Sequence, residues 1–188
     1  MLAGGRATRF GSDKLVADHE GMPLLHHAIL RVAQACDDVV VVLAPAAEAS
    51  GLPPGVAVTH DPIEGQGPLV GLLQGLTAAT RSDRVVVAGG DMPDLRVPVL
   101  DEMLRVLDEA AVDAVALSDG KRTRPLPCVL RTRAAAGTVD ALLSTGHRRL
   151  GDVLDAMRTA VIDEPTWTAL DPGRRTLFDV DEPRDLRS

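Results

Sequence analysis

Cysteine, positive charge and long apolar runs are all in short supply in this chain. There are two cysteines, Cys36 and Cys128, too far apart for a metal-binding spacing, and buried free thiols are the expectation for both. Lysine and arginine number 20 against 27 acidic residues, a net charge of -7, which argues against broad electrostatic binding to nucleic acid. An acidic protein that takes an anionic substrate must gather its cations locally or recruit a metal ion. No apolar stretch approaches the roughly 20 residues that span a bilayer. Glycine, arginine and aspartate near the N-terminus interrupt what a secretory signal needs as an unbroken apolar core. A cytoplasmic protein, without membrane or nucleic-acid partners, is expected. The five histidines show no ligand spacing, and Trp167 carries no functional signal.

What is present is a regular alternation. The 188 residues, 45% of them hydrophobic, suit one well-cored domain over 1–188. Short runs rich in valine and alanine at 39–43, 56–59, 84–88 and 114–117 are nearly continuous in apolar residues, as buried parallel strands are. Helical patterns fill the gaps at 23–36, 68–80 and 97–110, with Pro23, Pro68 and Pro98 in their first turns. Strand and helix in alternation predict an open α/β sheet with right-handed crossovers. Beyond 117 the rhythm changes. Residues 125–131 read as a strand interrupted by prolines, expected at an edge or at a crossover between sheets. Helices at 133–143 and 150–157, a short strand at 160–162, a loop around 165–173, the segment 176–180 and a terminal helical turn from 182 complete a small C-terminal subregion.

Ligands of open α/β sheets bind beyond the carboxyl ends of the strands. The first such position reads Leu2-Ala3-Gly4-Gly5-Arg6-Ala7-Thr8-Arg9-Phe10-Gly11-Ser12-Asp13-Lys14. Glycines let backbone N–H groups crowd against phosphate oxygens, and Arg9 and Lys14 supply a fork and a point charge for a triphosphate. Read without context, the same residues also suit an N-terminal loop with surface cations. The segment is not a Walker loop, since the Gly-Lys-Ser/Thr ending is absent, and it lacks the three-glycine spacing of the dinucleotide fingerprint.

Leu-Ala-Gly-Gly, then Arg-Phe-Gly, then Asp-Lys resembles the signature of the molybdenum cofactor guanylyltransferases, and more broadly of sugar-nucleotide and cofactor nucleotidyltransferases. The resemblance continues in order along the chain. Asp61-Pro62 and Gly65-Gln66-Gly67-Pro68-Leu69-Val70-Gly71 look like the family's base-binding segment, and Gly89-Gly90-Asp91-Met92-Pro93 like its metal-binding strand end. Arg124-Pro125-Leu126 and Gly146-His147-Arg148-Arg149-Leu150 are similar to its acceptor-side elements, and 178–186 to its closing motif. This implies a three-layer α/β/α, mostly parallel, Rossmann-like fold of the nucleotide-diphospho-sugar transferase kind. It implies transfer of GMP from GTP to the phosphate of molybdopterin with release of pyrophosphate. The implied nucleotide and acceptor contacts are Leu2, Ala3, Gly4, Gly5, Lys14, Asp61, Gly67, Pro68, Leu69, Gly71, Asp91, Arg148 and Arg149. Arg9, Lys14 and Asp91 take the catalytic part. A monomer or weak homo-oligomer, with transient contacts to other molybdenum-cofactor proteins, is the implied state.

Asp91 follows an apolar run and two glycines, so it should emerge in the crevice, where a carboxylate beside a triphosphate needs a cation between them. Mg²⁺ suits that place. Asp179 and Asp181 alternate on an extended segment and so share one face. Asp181 would add a metal ligand or else cap the terminal turn. This pair departs from the asparagines often found there and leans towards cytidylyl transfer, whereas Gly4-Gly5 and Gly67-Pro68-Leu69-Val70-Gly71 resemble the guanylyl-transferring members. Arg148 and Arg149 suit a phosphorylated acceptor or, equally, a solvated helix start. Relatives open with several apolar residues as a first strand, where here only Met1-Leu2 precede Ala3.

Overall fold

The structure is a computed structural model that describes residues 1–4, 14–49, 51–63 and 65–186. In chain order its elements are β1 (Leu2–Ala3), β2 (Asp18–His19), β3 (Met22–Pro23), α1 (Leu24–Val32), β4 (Val40–Leu43), β5 (Ala57–His60), α2 (Pro68–Ala78), β6 (Arg84–Val87), α3 (Val97–Glu109), β7 (Ala114–Ser118), β8 (Thr123–Arg131), α4 (Thr132–Ser144), α5 (Leu150–Ala156), β9 (Thr159–Ile162) and α6 (Glu164–Leu170). β2 and β3 form a small antiparallel hairpin turned by Glu20 and Gly21, both at positive φ, as tight hairpin turns require. The other strands make one sheet. β5, β4 and β1 lie side by side in parallel. Leu2 N–H donates to the Ala88 carbonyl and Gly90 N–H to the Leu2 carbonyl, both at 2.9 Å, which joins β1 to the end of β6. Beyond β6 the order is β8, β7, β9, with β8 alone antiparallel to its neighbours. The sheet is therefore open and mostly parallel, as the sequence predicts.

Strand side chains alternate between two apolar layers. Val41, Leu43, Ala88, Val115, Leu117, Val129 and Ile162 pack with α1, α3 and α6 on one face. Val87, Ala114, Ala116, Cys128 and Leu130 pack with α2, α4 and α5 on the other. That period of two, with both faces covered by helices, is why these strands are rich in valine and alanine rather than alternately polar. Cys36 and Cys128 are free thiols; burial pushes the Cys128 thiol up to about 12, which leaves it unreactive.

Three expectations need correction. β8 is not at an edge: it lies between β6 and β7. Its prolines are accommodated by a bulge, since Ala116 pairs with Cys128 while Leu117 pairs with Arg124, and Pro125, Leu126 and Pro127 fall between. A bulge spares the missing N–H groups a place in the ladder. Residues 165–173 are not simply a loop, because α6 occupies Glu164–Leu170. Asp163 caps it by accepting from Thr166 N–H at 3.1 Å, and Pro165 sits in its first turn. Last, Asp181 does not cap the terminal turn; Glu182 and Asp185 form a reciprocal capping box there. Among the described residues, no helix is long and apolar enough to cross a membrane.

Candidate functional site

The carboxyl ends of β1, β4, β5 and β6 form one rim of the sheet. Gly4 leaves β1 against the backbone of Leu43 and Ala44. Asp61 follows β5, its N–H extending the ladder to the Leu43 carbonyl at 2.8 Å. After β6 the chain turns through Gly89 and Gly90 to Asp91. Both glycines are closely packed. A Cβ on Gly89 would meet Asp91 Oδ1, and one on Gly90 would stand 2.9 Å from Leu25 Cδ1, so either would push a side-chain end aside. The doublet thus lets the Asp91 carboxylate fold back over the strand end.

Lys14 meets it there. Its Nζ donates to Asp91 Oδ2 at 2.7 Å and to the Val180 carbonyl at 2.9 Å, while Val180 N–H donates to the Asp91 carbonyl at 2.9 Å. One lysine therefore ties the start of the chain, the end of β6 and the C-terminal segment together. Lys14 and Asp91 keep 17% and 28% of their side chains accessible, so the pair is partly open to solvent. Asp179 lies beside this knot. Burial pushes its carboxyl above the ordinary range, the charges of Asp181 and Asp91 push the same way, and Arg124 opposes them. Arg124 spans 3.8 Å to Asp179 Oδ2 and 3.5 Å to Asp119 Oδ2. The excess of carboxylate over cation here is the donor chemistry that a hard divalent ion completes: Mg²⁺ takes one or two carboxylates and fills its shell from phosphates and water. Asp91 offers one such carboxylate, close enough to Asp179 for their charges to interact. Among the described residues no group of three or more acidic, histidine or cysteine side chains is arranged to hold a metal ion, so phosphate oxygens would have to supply further ligands.

The base-binding expectation falls on the start of α2. Gly67, at φ 86°, precedes Pro68, and its missing side chain leaves room for Arg148, whose Cβ and carbonyl lie 3.0 and 3.1 Å from where a Cβ would be. Gly71, buried in α2, faces Asp61 Oδ2 and Leu2 Cδ2 at 3.6 and 3.8 Å from the corresponding Cβ position. Leu69 is fully buried beneath them. The structure thus groups Leu2, Asp61 and Gly71, groups Lys14 with Asp91, and sets Arg148 against Gly67. Arg148 spends its guanidinium on the Leu143 and His147 carbonyls; Arg149 is the exposed residue before α5. Gly5 and Arg9 lie outside the described residues.

Sequence reasoning placed Arg124 in an acceptor-side element but gave its side chain no partner, and it missed the Val180 carbonyl, a backbone group with no sequence signal. It also missed Asp94, whose carboxylate accepts from Arg175 Nε at 2.9 Å, and Asp171, which accepts from Thr176 N–H and Oγ1 at 2.7 and 2.8 Å. These two carboxylates hold the C-terminal segment across the rim.

An open, mostly parallel sheet with a lysine–carboxylate pair between two glycine-rich turns is the make-up of an α/β nucleotidyltransferase. The sequence profile of the MobA-like NTP transferase domain matches residues 1–161. A probable molybdenum cofactor guanylyltransferase of Mycobacterium marinum is 35% identical over 164 residues, covering 85% of this chain and 79% of that protein. One of Nostoc sp. is 31% identical over 190 residues, covering 99% and 86%. Among solved structures, molybdopterin-guanine dinucleotide biosynthesis protein A of Archaeoglobus fulgidus superposes with a TM-score of 0.79 at 20% identity, covering 98% of this chain and 92% of that one. The 2-C-methyl-D-erythritol 4-phosphate cytidylyltransferase of Thermus thermophilus shares the fold, with a TM-score of 0.70 at 17% identity over 98% and 92%. The chain belongs to the MobA-like NTP transferase family.

Proposed function

We propose that this protein transfers GMP from GTP to the phosphate of molybdopterin, releasing pyrophosphate and forming the guanine dinucleotide form of the cofactor, in the cytoplasm. The observation that carries the reading is the Lys14–Asp91–Val180 knot at the carboxyl rim, together with relatives named for this reaction. An acceptor phosphate oxygen attacks the α-phosphorus, the new P–O bond forms as the bond from Pα to the bridging oxygen breaks, and pyrophosphate carries the electron pair away. A phosphate nucleophile is already ionised at neutral pH, so the site needs no general base. Positioning and charge neutralisation therefore carry the rate.

Lys14, released from Asp91 by the incoming nucleotide, holds the β- and γ-phosphates, with Arg9 as a second cation. Asp91, with Asp179 or Asp181, would hold Mg²⁺, which would supply Lewis-acid polarisation of the phosphates. Gly4 and Gly5 bring backbone N–H groups to the phosphates. Guanine rests on Leu2, Ala3, Asp61 and the Gly67-Pro68-Leu69-Val70-Gly71 turn, whose backbone carbonyls can accept from its N1–H and N2 amino edge. Arg148 and Arg149 take the acceptor phosphate, Arg148 by leaving its local carbonyls.

Losing one such electrostatic partner costs about 10²–10³-fold in rate. Asp91→Ala should lose that much pyrophosphate release with GTP, Mg²⁺ and molybdopterin while keeping its melting temperature within a few degrees. A variant that turns over at the parent rate would remove Asp91 from the mechanism.

A further inference from the structure

The oxygens that Lys14 bonds are held in place without it. Asp91 is fixed where the chain leaves β6. Val180 is fixed beside it, with a fully buried side chain and an N–H that donates to the Asp91 carbonyl at 2.9 Å. Ahead of Val180 in the chain, Asp94 holds Arg175 and Asp171 holds Thr176. The backbone of Lys14 has its own anchors. Leu15 packs into the core, and Ala17 N–H closes a short turn onto the Lys14 carbonyl at 3.2 Å. The movable part of the knot is therefore the four-carbon stem of Lys14 and the ammonium at its end.

That ammonium occupies a place suited to a small hard cation. Its Nζ takes one carboxylate oxygen and one backbone carbonyl, Asp91 Oδ2 at 2.7 Å and the Val180 oxygen at 2.9 Å. Both are the oxygen type that Mg²⁺ prefers. The surroundings are rich in negative charge, since Asp179 feels both Asp91 and Asp181. A divalent ion on the same carboxylate would meet the ammonium as a like charge at close range.

We propose that the Lys14 ammonium stands in for the divalent ion in the nucleotide-free protein. Lys14 and the metal then exclude one another at Asp91, and Asp91 takes up the metal only once a nucleotide has drawn Lys14 onto its phosphates. This rests on the reading of Asp91 as a metal ligand and Lys14 as a phosphate ligand, and adds a linkage between the two. Before ligands arrive, the ion pair ties Asp91 to the C-terminal segment and keeps a free ion from settling there without substrate. The linkage has a sign that a purely structural lysine lacks. Removing Lys14 weakens nucleotide binding and tightens metal binding, whereas a loosened rim weakens both.

The test titrates Mn²⁺ alone, without nucleotide, into the parent, Lys14→Met, Lys14→Gln and Arg124→Gln, with calorimetry as the readout. Lys14→Gln keeps a donor for the Val180 carbonyl without the charge, and serves where Lys14→Met does not fold. Either Lys14 variant should bind Mn²⁺ about tenfold or more tightly than the parent, the factor that a displaced charge-assisted hydrogen bond is worth. Both should bind GTP more weakly. Arg124→Gln removes a nearby positive charge that is not bonded to Asp91, and should gain less than about threefold. Adding Asp91→Asn to Lys14→Gln should abolish the gain. Unchanged Mn²⁺ affinity in the Lys14 variants, an equal gain in Arg124→Gln, or a gain that survives Asp91→Asn would overturn the proposal. Pyrophosphate release by the parent is measured separately: its absence with GTP and molybdopterin counts against guanylyl transfer, while the Mn²⁺ titrations alone decide the linkage.

Discussion

Asp91 illustrates how much a single carboxylate can be read from its neighbours. Gly89 and Gly90 precede it because their missing side chains leave room for Asp91 Oδ1 and Leu25, and a glycine doublet between an apolar run and an aspartate is visible in sequence. Lys14 was legible as a cation near phosphate, but its bonds to Asp91 and the Val180 carbonyl depend on the fold. Arg124 was not legible, because its meaning lies in the distances to Asp119 and Asp179. Met1 gives this scale its prediction. Its amino group has a pKa of about 6 when folded, against 8.0 when free, so between these values the unfolded chain binds the proton and the folded chain does not. Stability should therefore rise with pH across that window, by at most ~3 kcal/mol, and be lost again as pH falls through 6. Urea unfolding from pH 5.5 to 8.5, with and without N-terminal acetylation, checks it. The free chain should show the rise and the acetylated chain should not; parallel profiles would contradict it.

The elements followed their sequence patterns where the pattern was long and local. α3 and α4 run 13 residues each, and their apolar spacing fixed them. α6 has seven residues, too few for a periodic signal, although Asp163 and Pro165 already marked a helix start. The position of β8 was beyond reading, because prolines signal a break in a ladder but not which neighbours the strand has. α6 matters through Trp167, which is 1% exposed and donates from Nε1 to the Ser118 carbonyl at 2.7 Å, pinning the element that leads into the C-terminal segment. Trp167→Ala should cost about 3–5 kcal/mol and lower the melting temperature by roughly 10 °C. An unchanged melting curve would show that α6 is not coupled to the sheet.

At the scale of the whole molecule, an open sheet gathers residues from distant parts of the chain onto one rim because all its parallel strands end there. That is why Leu2, Asp61 and Gly71, from separate sequence motifs, meet in space, and why Lys14 meets Asp91. That gathering was legible in the alternation of strand and helix; the bonds that join β1 to the end of β6 were not, because they depend on the fold. The central claim, guanylyl transfer, is tested most directly by pyrophosphate release from GTP, CTP, ATP and UTP in turn, with Mg²⁺ and molybdopterin present. The account predicts turnover with GTP at least tenfold faster than with any other nucleotide and a product carrying guanine. Preferential turnover of CTP, or GTP binding without pyrophosphate release, would contradict it.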